Sequence, residues 1–180
     1  MKDNASMRNP IPFDRLTVST HHLWATQWLL LTSGDFREGR FNTMTVAWGS
    51  LGTMWGKPFA QVVVRPSRYT YQFMEEYDTF TLCAFPNAQR PALNLLGSRS
   101  GRDGDKIHAA GLTPTAAACV AAPAFAEADL VIECRKIYWD DLKPDHFIDP
   151  GIEKNYPKGD HHRIYFGEVL AVSGEEHYRG

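Results

Sequence analysis

The chain has 180 residues, of which 43% are hydrophobic and 22% are charged, and this composition is typical of one globular domain. Its formal charge is −2, with 19 Lys and Arg against 21 Asp and Glu. Because no long basic run occurs, the sequence argues against nucleic-acid binding and polybasic membrane attachment. Residues 1–12 lack the apolar core of a signal peptide, and the apolar run 28–31 is too short to span a bilayer. We therefore expect a cytoplasmic protein.

Motifs for several common chemistries are missing. The three cysteines, Cys83, Cys119 and Cys134, are odd in number and widely spaced, so we expect reduced, buried thiols. The histidine pairs 21–22 and 161–162 are adjacent residues, which on a strand point to opposite faces, and no metal site is predicted. The sequence also lacks the motifs of serine hydrolases, P-loops and Rossmann nicotinamide domains. Adjacent acidic pairs are typical of a surface, and no catalytic side chain is assigned.

Hydrophobic patterns predict the elements in chain order. Residues 1–23 are predicted to form an N-terminal arm, residues 24–173 a single domain, and residues 174–180 a C-terminal tail. Strands are predicted over residues 24–32, 41–51, 59–65, 79–85, 116–120, 128–139 and 163–173. Helices are predicted over residues 68–77, 87–96 and 105–110. Residues 141–161, rich in proline, glycine and charge, are predicted to be a long loop. Without βαβ alternation, these elements predict a mainly β fold, an antiparallel barrel or sandwich with short helical insertions.

The predicted strand 41–51 carries the first candidate site. Alternation places Asn42, Met44 and Trp48 on one face. Asn42, with Thr43 and Thr45, could hydrogen-bond the carbonyls and ring nitrogens of an isoalloxazine, while Met and Trp side chains suit the face of a ring. The alternative is a core tryptophan beside threonines that merely favour strand structure. This segment alone does not decide between the two.

A second segment, residues 65–70, follows a strand that ends at Pro66. Ser67 is predicted to cap the next helix, where free N–H groups and the helix dipole favour an anion. Arg68 and Thr70 add a charge and another donor, and such groups suit a phosphate. An ordinary capped helix with a surface arginine is the alternative. The two segments together point to a phosphorylated heterocyclic cofactor, and flavin mononucleotide (FMN) is the first candidate.

The polar loop 98–106 is the third candidate. It combines two glycines with three basic residues. Lys106 near the N1–C2 region of a flavin would stabilise the anionic reduced cofactor. A solvated connecting loop is the alternative that composition alone favours.

These three segments resemble the flavin reductase-like, FMN-binding split-barrel family, and most closely its flavoredoxin-like branch. The resemblance rests on Asn42-Thr43-Met44-Thr45 with Trp48-Gly49, on Val64-Arg65-Pro66-Ser67-Arg68-Tyr69-Thr70, and on Ser100-Gly101-Arg102-Asp103-Gly104-Asp105-Lys106. Residues 162–169 are similar to the family's last barrel strand. The similarity covers roughly residues 24–173, and the long, proline-rich segment 140–162 departs from the family pattern.

The resemblance implies a six-stranded, antiparallel, Greek-key split barrel that forms a homodimer, with one FMN per subunit near the dimer interface. The residues that it places along the isoalloxazine are Asn42, Thr43, Met44, Thr45 and Trp48. Those that it places at the phosphate and ribityl chain are Ser67, Arg68 and Thr70. It brings Lys106 and Ser100 to the flavin from the polar loop. It also suggests Phe166 as a cover for the ring, from this subunit or its partner.

From these residues we expect an FMN-dependent oxidoreductase. NADH or NADPH would bind transiently as the electron donor, and free flavin, a small molecule or a redox protein would be the acceptor. A non-catalytic FMN electron carrier is the main alternative. A cofactor-free barrel used for binding or assembly is the third reading. The sequence does not choose the electron donor or the acceptor.

Overall fold

The computed structural model describes residues 7–180, in which ten strands and three α-helices form. The strands are β1 Asn9–Pro10, β2 Leu29–Asp35, β3 Arg40–Val46, β4 Gly49–Met54, β5 Lys57–Val64, β6 Thr79–Ala84, β7 Pro114–Thr115, β8 Ala124–Phe125, β9 Leu130–Asp141 and β10 Arg163–Gly174. The helices are α1 Tyr69–Glu76, α2 Arg90–Ser98 and α3 Lys106–Ala110. A π-helix, His22–Gln27, precedes β2. Short 3₁₀ turns occupy Phe13–Arg15, Asn87–Gln89, Gly101–Asp103, Pro144–His146, Pro150–Asn155 and Glu176–Tyr178.

The large sheet is antiparallel throughout and has the strand order β3-β2-β6-β9-β10-β5-β4, with β1 added beside β10. Its two outer strands, β3 and β4, are joined by only Ala47 and Trp48. Because the three Cα–Cα steps from Val46 to Gly49 span about 11 Å at most, this link holds the two sheet edges together at one end. The sheet is therefore a barrel with a seam at residues 47–48. This confirms the predicted mainly β, split-barrel fold class, with one strand more in the continuous order than the six that the resemblance implied.

Two hydrophobic clusters hold the barrel and its helical layer. In β5, alternate residues Ala60, Val62 and Val64 are buried in the barrel interior, as the period of two requires. In β2, every residue of the Leu29–Leu31 run is buried, because Leu30 faces the other way, into a second cluster with Leu93 and Leu96 of α2. The sheet is therefore covered by α2 on its outer side, which brings this helix beside β3.

Two predicted strands begin or end differently in the structure. The prediction of a strand over residues 24–32 is wrong in its first half, because residues 22–27 form the π-helix and Trp28, at φ +66°, separates it from β2. The prediction of one strand over residues 41–51 is also wrong. The chain leaves β3 after Val46 and enters β4 at Gly49, and this break forms the seam.

The predicted strand 116–120 does not form. The N–H groups of Ala118 and Cys119 donate to the buried carboxylate of Glu133, at 2.9 and 2.6 Å, rather than to a neighbouring strand. The same loop exposes the Cys119 thiol, so the expectation of buried thiols is correct only for Cys83 and Cys134.

In residues 7–180, no helix has the length and apolar character that a membrane span requires.

The remaining predicted elements match the structure to within a few residues. Helices α1, α2 and α3 form in the predicted segments, and Asp105 caps α3 by accepting from the N–H of His108 at 2.9 Å. Residues 142–162 form an irregular loop with two 3₁₀ turns, as predicted. We call this segment the long loop. It returns the chain from β9 to β10, beside the end of β5.

Candidate functional site

Two adjoining cavities open at the barrel seam. The first, which we call the strand cavity, has a volume of about 160 Å³ and is lined by Met44, Thr45, Val46, Ala47, Trp48, Val63, Arg65, Arg68 and His162. The second, the loop cavity, has a volume of about 130 Å³ and is lined by Asn42, Met44, Ser67, Arg68, Tyr69, Thr70, Leu96, Ser98, Arg99, Ser100, Gly101, Arg102 and Lys106. Because Met44 and Arg68 line both cavities, the two cavities adjoin at these side chains, and we call them together the groove. All three segments singled out in the sequence meet here.

The loop cavity is rich in hydrogen-bond donors and positive charge. The Arg68 guanidinium donates to the carbonyl of Gly97 at 3.1 Å, which ties the start of α1 to the end of α2. Arg102 lies over the ring of Tyr69, with its guanidinium carbon 4.7 Å from the ring centroid. Hydroxyls of Ser67 and Ser100 line the same cavity. This set of charged and neutral donors suits a phosphate group.

Lys106 is the buried cation of the loop cavity, with 6% of its surface exposed. Its Nζ donates to the carbonyls of Leu96 and Arg99, both at 3.0 Å, so one of three ammonium N–H bonds is left for a ligand. Burial lowers the pKa of Lys106 to about 8, and the charge of Arg68 adds to this effect. An anion in the cavity would therefore stabilise the protonated lysine.

The predicted cap at Ser67 does not form. The N-terminal cap of α1 is Arg68, without a side-chain hydrogen bond to the helix. The Ser67 hydroxyl instead donates to Asp160 at 2.8 Å, and Arg65 donates to the other oxygen of Asp160 at 2.9 Å. These contacts lower the pKa of the Asp160 carboxyl, and the hydrogen bond from Ser67 has the largest effect. They fasten the long loop to the segment that follows β5.

Asn42 and Thr70 form the floor of the loop cavity. Both are buried, and the Asn42 amide donates to the Thr70 hydroxyl at 2.7 Å. A Cβ at position 101 would lie 2.2 Å from Asn42 Oδ1 and 3.0 Å from a ring carbon of Tyr69. Only glycine therefore lets the polar loop approach β3 this closely, which shapes the cavity.

The two threonines of β3 have different surroundings. The structure does not bring Thr43 to either cavity, because Thr43 shares the sheet face of Leu30, which packs against α2. Its hydroxyl donates to the carbonyl of Leu31 at 3.1 Å and accepts from Thr32 at 2.9 Å. Thr45 lines the strand cavity, but its hydroxyl donates to the carbonyl of Leu93 at 2.5 Å. Thr45 therefore holds α2 against β3 and presents its remaining surface to the cavity.

Trp48 and His162 form the aromatic wall of the strand cavity. Their ring centroids are 5.2 Å apart, and Trp48 is 49% exposed although it lies at the seam. His162 Nδ1 is hydrogen-bonded to the Tyr156 hydroxyl at 2.8 Å. Burial, with a smaller contribution from the charge of Arg65, lowers the pKa of His162 to about 4. The imidazole is therefore neutral at pH 7, and an N–H at Nε2 follows if Nδ1 accepts from the tyrosine.

The sequence reasoning missed His162. His162 was considered as one of an adjacent pair unsuited to bind a metal and as the start of the segment that is similar to the family's last strand, but not as a site residue. The register that pairs Arg163 with Val64 places His162 beside Arg65, at the end of β5. The motif that contains Arg65, together with the predicted last strand, could have pointed to this neighbour.

The structure does not bring Phe166 to either cavity of the same chain. Its ring packs on the outer face of the barrel, with centroids 5.2 Å from Phe59, 5.8 Å from Tyr138 and 6.2 Å from Trp55. The other predicted positions, apart from Thr43, all line the groove. A role for Phe166 toward a partner subunit stays a prediction.

The donor set of the groove fits a phosphorylated planar ring. The loop cavity supplies charge-assisted donors to a phosphate, and the adjoining strand cavity supplies the thioether of Met44 and the ring of Trp48 to an aromatic surface. Gly101 keeps the backbone close enough to form the floor.

The antiparallel barrel with a seam defines the chain as a split β-barrel protein. Within that class it belongs to the family described as Flavin reductase like domain, whose profile matches residues 21–180. A comparison with curated proteins finds no match.

Solved structures share the fold. A structure described as an FMN-binding domain of a flavin reductases-like enzyme from Shewanella baltica OS155 superposes with a TM-score of 0.68 at 19% identity, over 94% of this chain and 78% of that one. The flavoredoxin of Desulfovibrio vulgaris (Miyazaki F) gives 0.65 at 24% identity, over 89% and 75%. An FMN-binding protein from Thermus thermophilus, with bound 1-cyclohex-2-enone, gives 0.66 at 22% identity, over 94% and 82%.

Proposed function

We propose that the chain binds FMN along the groove and acts as an oxidoreductase of the flavin reductase type. The observation that carries this proposal is that the two cavities adjoin, with Met44 and Arg68 lining both. A phosphate in the loop cavity and a ring in the strand cavity would then belong to one molecule. Membership of the Flavin reductase like domain family supports the same ligand.

The chain's own residues would bind and orient this ligand. Arg68, Lys106 and the hydroxyl of Ser100 would hold the phosphate, with Thr70 and Asn42 beneath it. Ser67 would contribute only by sharing its hydroxyl with Asp160.

Met44, Thr45 and Trp48 would line the ring, while neutral His162 offers a hydrogen bond at the same wall. FMN, when bound, supplies hydride and electron transfer. Because 49% of the Trp48 surface is exposed, the strand cavity is open to a second substrate, for which NADH and NADPH are the proposed donors. Free flavin, a small molecule or a redox protein is the proposed acceptor.

The activity is tested by following NADH and NADPH oxidation with the FMN-loaded chain under anaerobic conditions. We expect the visible flavin band to bleach in a saturable reaction. Trp48→Ala should slow this reaction, whereas Trp139→Ala should not, since Trp139 is similarly exposed (52%) but packs on Arg163 at 3.8 Å. Retained FMN that neither nicotinamide reduces would favour the non-catalytic electron carrier. A chain that binds no FMN would favour the cofactor-free barrel.

We also propose that the chain forms a homodimer through the outer face of the barrel. An aromatic patch made of Trp55, Phe59, Tyr138 and Phe166 lies there, and Trp55 is 60% and Tyr138 45% exposed. An exposed apolar patch of this kind is typical of an interface. Sedimentation velocity should show a dimer for the wild type and a monomer for Trp55→Glu, with Ile148→Glu, which changes a 99% exposed loop residue, as the matched control. A monomeric wild type would contradict the proposal.

A further inference from the structure

A third cavity lies apart from the groove, and we call it the terminal cavity. Its volume is about 380 Å³, and none of its lining residues belongs to the strand cavity or the loop cavity. The residues that matter for its chemistry are Ser19, His22, Gln27, Phe85, Asp129 and Tyr178. The cavity is therefore an open one, lined by the chain before β2, the end of β6, the start of β9 and the C-terminal 3₁₀ turn.

A hydrogen-bond chain crosses the floor of the terminal cavity. Gln27 Nε2 donates to the Tyr178 hydroxyl at 2.8 Å and to the carbonyl of Phe85 at 3.2 Å. The Tyr178 hydroxyl in turn donates to Asp129 Oδ1 at 3.1 Å. These bonds use the donors of Gln27 and Tyr178. The groups left over at the floor are acceptors, namely Gln27 Oε1 and the second carboxylate oxygen of Asp129.

Asp129 is a buried carboxylate that makes no direct ion pair with the described residues. Only 5% of its surface is exposed, and within residues 7–180 no Lys, Arg or His nitrogen lies within 4.0 Å of its oxygens. His177 also lines the cavity, with its Nδ1 3.7 Å from Glu175, and its charge acts to lower the pKa of Asp129 against the larger effect of burial. An isolated buried carboxylate is unfavourable in free energy, and burial accordingly raises the pKa of Asp129. A positively charged hydrogen-bond donor in the cavity would relieve this cost.

The backbone beside this floor is unusual as well. Gln27 is the last residue of the π-helix, and Trp28, which follows it, has a φ of +66° that an L-residue other than glycine rarely adopts. Arg90 stabilises this conformation by donating to the carbonyl of Gln27 at 3.1 Å and by covering the Trp28 ring at 3.3 Å. Single-turn π-helices and strained residues occur often at binding sites. Here they place the Gln27 side chain against Tyr178.

We propose that the terminal cavity binds a small organic cation, a primary ammonium compound with an apolar body. The ammonium group donates to Asp129 and to Gln27 Oε1. The apolar body packs on Phe85 and on the ring of Tyr178, where a cation also gains from the aromatic face. This site is independent of the flavin-binding groove and of the function proposed for it.

Calorimetric titration of the full chain with benzylamine, which is protonated at pH 7, tests the proposal. Benzyl alcohol is the matched neutral probe. We expect saturable binding of benzylamine. The affinity for benzyl alcohol should be lower by a factor on the order of ten or more, because a charged hydrogen bond to the carboxylate is lost. Asp129→Asn should lower the benzylamine affinity to a similar extent.

A second pair of variants keeps the test valid if Asp129→Asn does not fold. His22→Trp places a large ring at the cavity, and His21→Trp places the same ring next to it, where it does not line the cavity; both histidines are exposed. We expect only His22→Trp to abolish benzylamine binding. An absence of saturable binding to the wild type, equal affinities for the two probes, or equal effects of the two tryptophan variants would overturn the proposal.

Discussion

Arg68 is the residue at which the two halves of the groove meet. It lines the strand cavity and the loop cavity, and its bond to the Gly97 carbonyl leaves most of its five N–H donors free. The sequence predicted a phosphate contact for Arg68, because it adds a charge at a helix start, where free N–H groups favour an anion, but it did not predict that Arg68 would line both cavities. The sequence could not show that Ser67 would pair with Asp160, which lies 93 positions away in the chain.

We predict that Arg68→Ala weakens FMN binding by about 1.5–3 kcal/mol, the magnitude of hydrogen bonds to charged groups. Fluorescence titration with FMN measures this change. Arg37→Ala, which removes an exposed arginine outside the groove, should leave the affinity unaltered. Equal affinities of Arg68→Ala and the wild type would remove Arg68 from the phosphate site.

The lowered pKa of Lys106 predicts that FMN binding depends on pH. Its pKa is lowered from 10.5 to about 8 in the folded chain, so the folded chain binds fewer protons than the unfolded chain between these values. Stability therefore rises with pH across this window as far as Lys106 contributes. A bound phosphate favours the protonated lysine, and FMN affinity should fall as the pH rises through about 8.

The variant Lys106→Met should make FMN affinity independent of pH in this range. Lys136→Met is the matched control, because Lys136 is also a partly buried lysine with a lowered pKa but donates to the carbonyl of Met74, outside both cavities. FMN titrations of the wild type and both variants from pH 6.5 to pH 9.5, a range of about 1.5 units on each side of 8, measure this dependence. Wild-type affinity that does not change with pH would exclude Lys106 from phosphate binding.

At the scale of elements, the long loop forms one wall of the groove. Asp160 fastens it to Arg65 and Ser67, and within the loop the Tyr156 hydroxyl is hydrogen-bonded to His162, the loop residue that lines the strand cavity. Sequence patterns predicted that residues 141–161 would be a loop, since proline, glycine and charges dominate there. They could not predict where the loop would rest, because that depends on the register between β5 and β10.

We predict that Asp160→Asn loosens the long loop, because the neutral asparagine side chain cannot form the ion pair that Asp160 makes with Arg65 at 2.9 Å. Limited proteolysis should cleave the variant faster than the wild type within residues 142–161. In the wild type the same effect should appear in acid, since the pKa of Asp160 is lowered in the folded chain and the ion pair is lost only below that value. Asp145→Asn, an exposed change in the same loop, is the control. Indistinguishable cleavage rates for the two variants would show that Asp160 does not hold the loop.

For the whole molecule, hydrophobic patterns and the absence of βαβ alternation were sufficient to predict the mainly β class and most strands. Short apolar runs are ambiguous between helix and strand, and this explains the error over residues 24–32. The break at residues 47–48 follows from barrel closure, which no local pattern in residues 41–51 records. Phe166 faces outward next to an irregularity between Phe166 and Gly167 in the pairing of β9 with β10, and a sequence pattern does not reveal such a shift.

The most direct test of FMN binding is the visible absorbance spectrum of the purified chain, recorded after FMN is added and the excess is removed. The groove at the seam predicts that flavin bands remain at a ratio near one FMN per chain, and that Arg68→Ala loses most of them. A wild-type spectrum without flavin bands, together with no saturable FMN titration, would contradict the proposal that the two cavities hold one FMN.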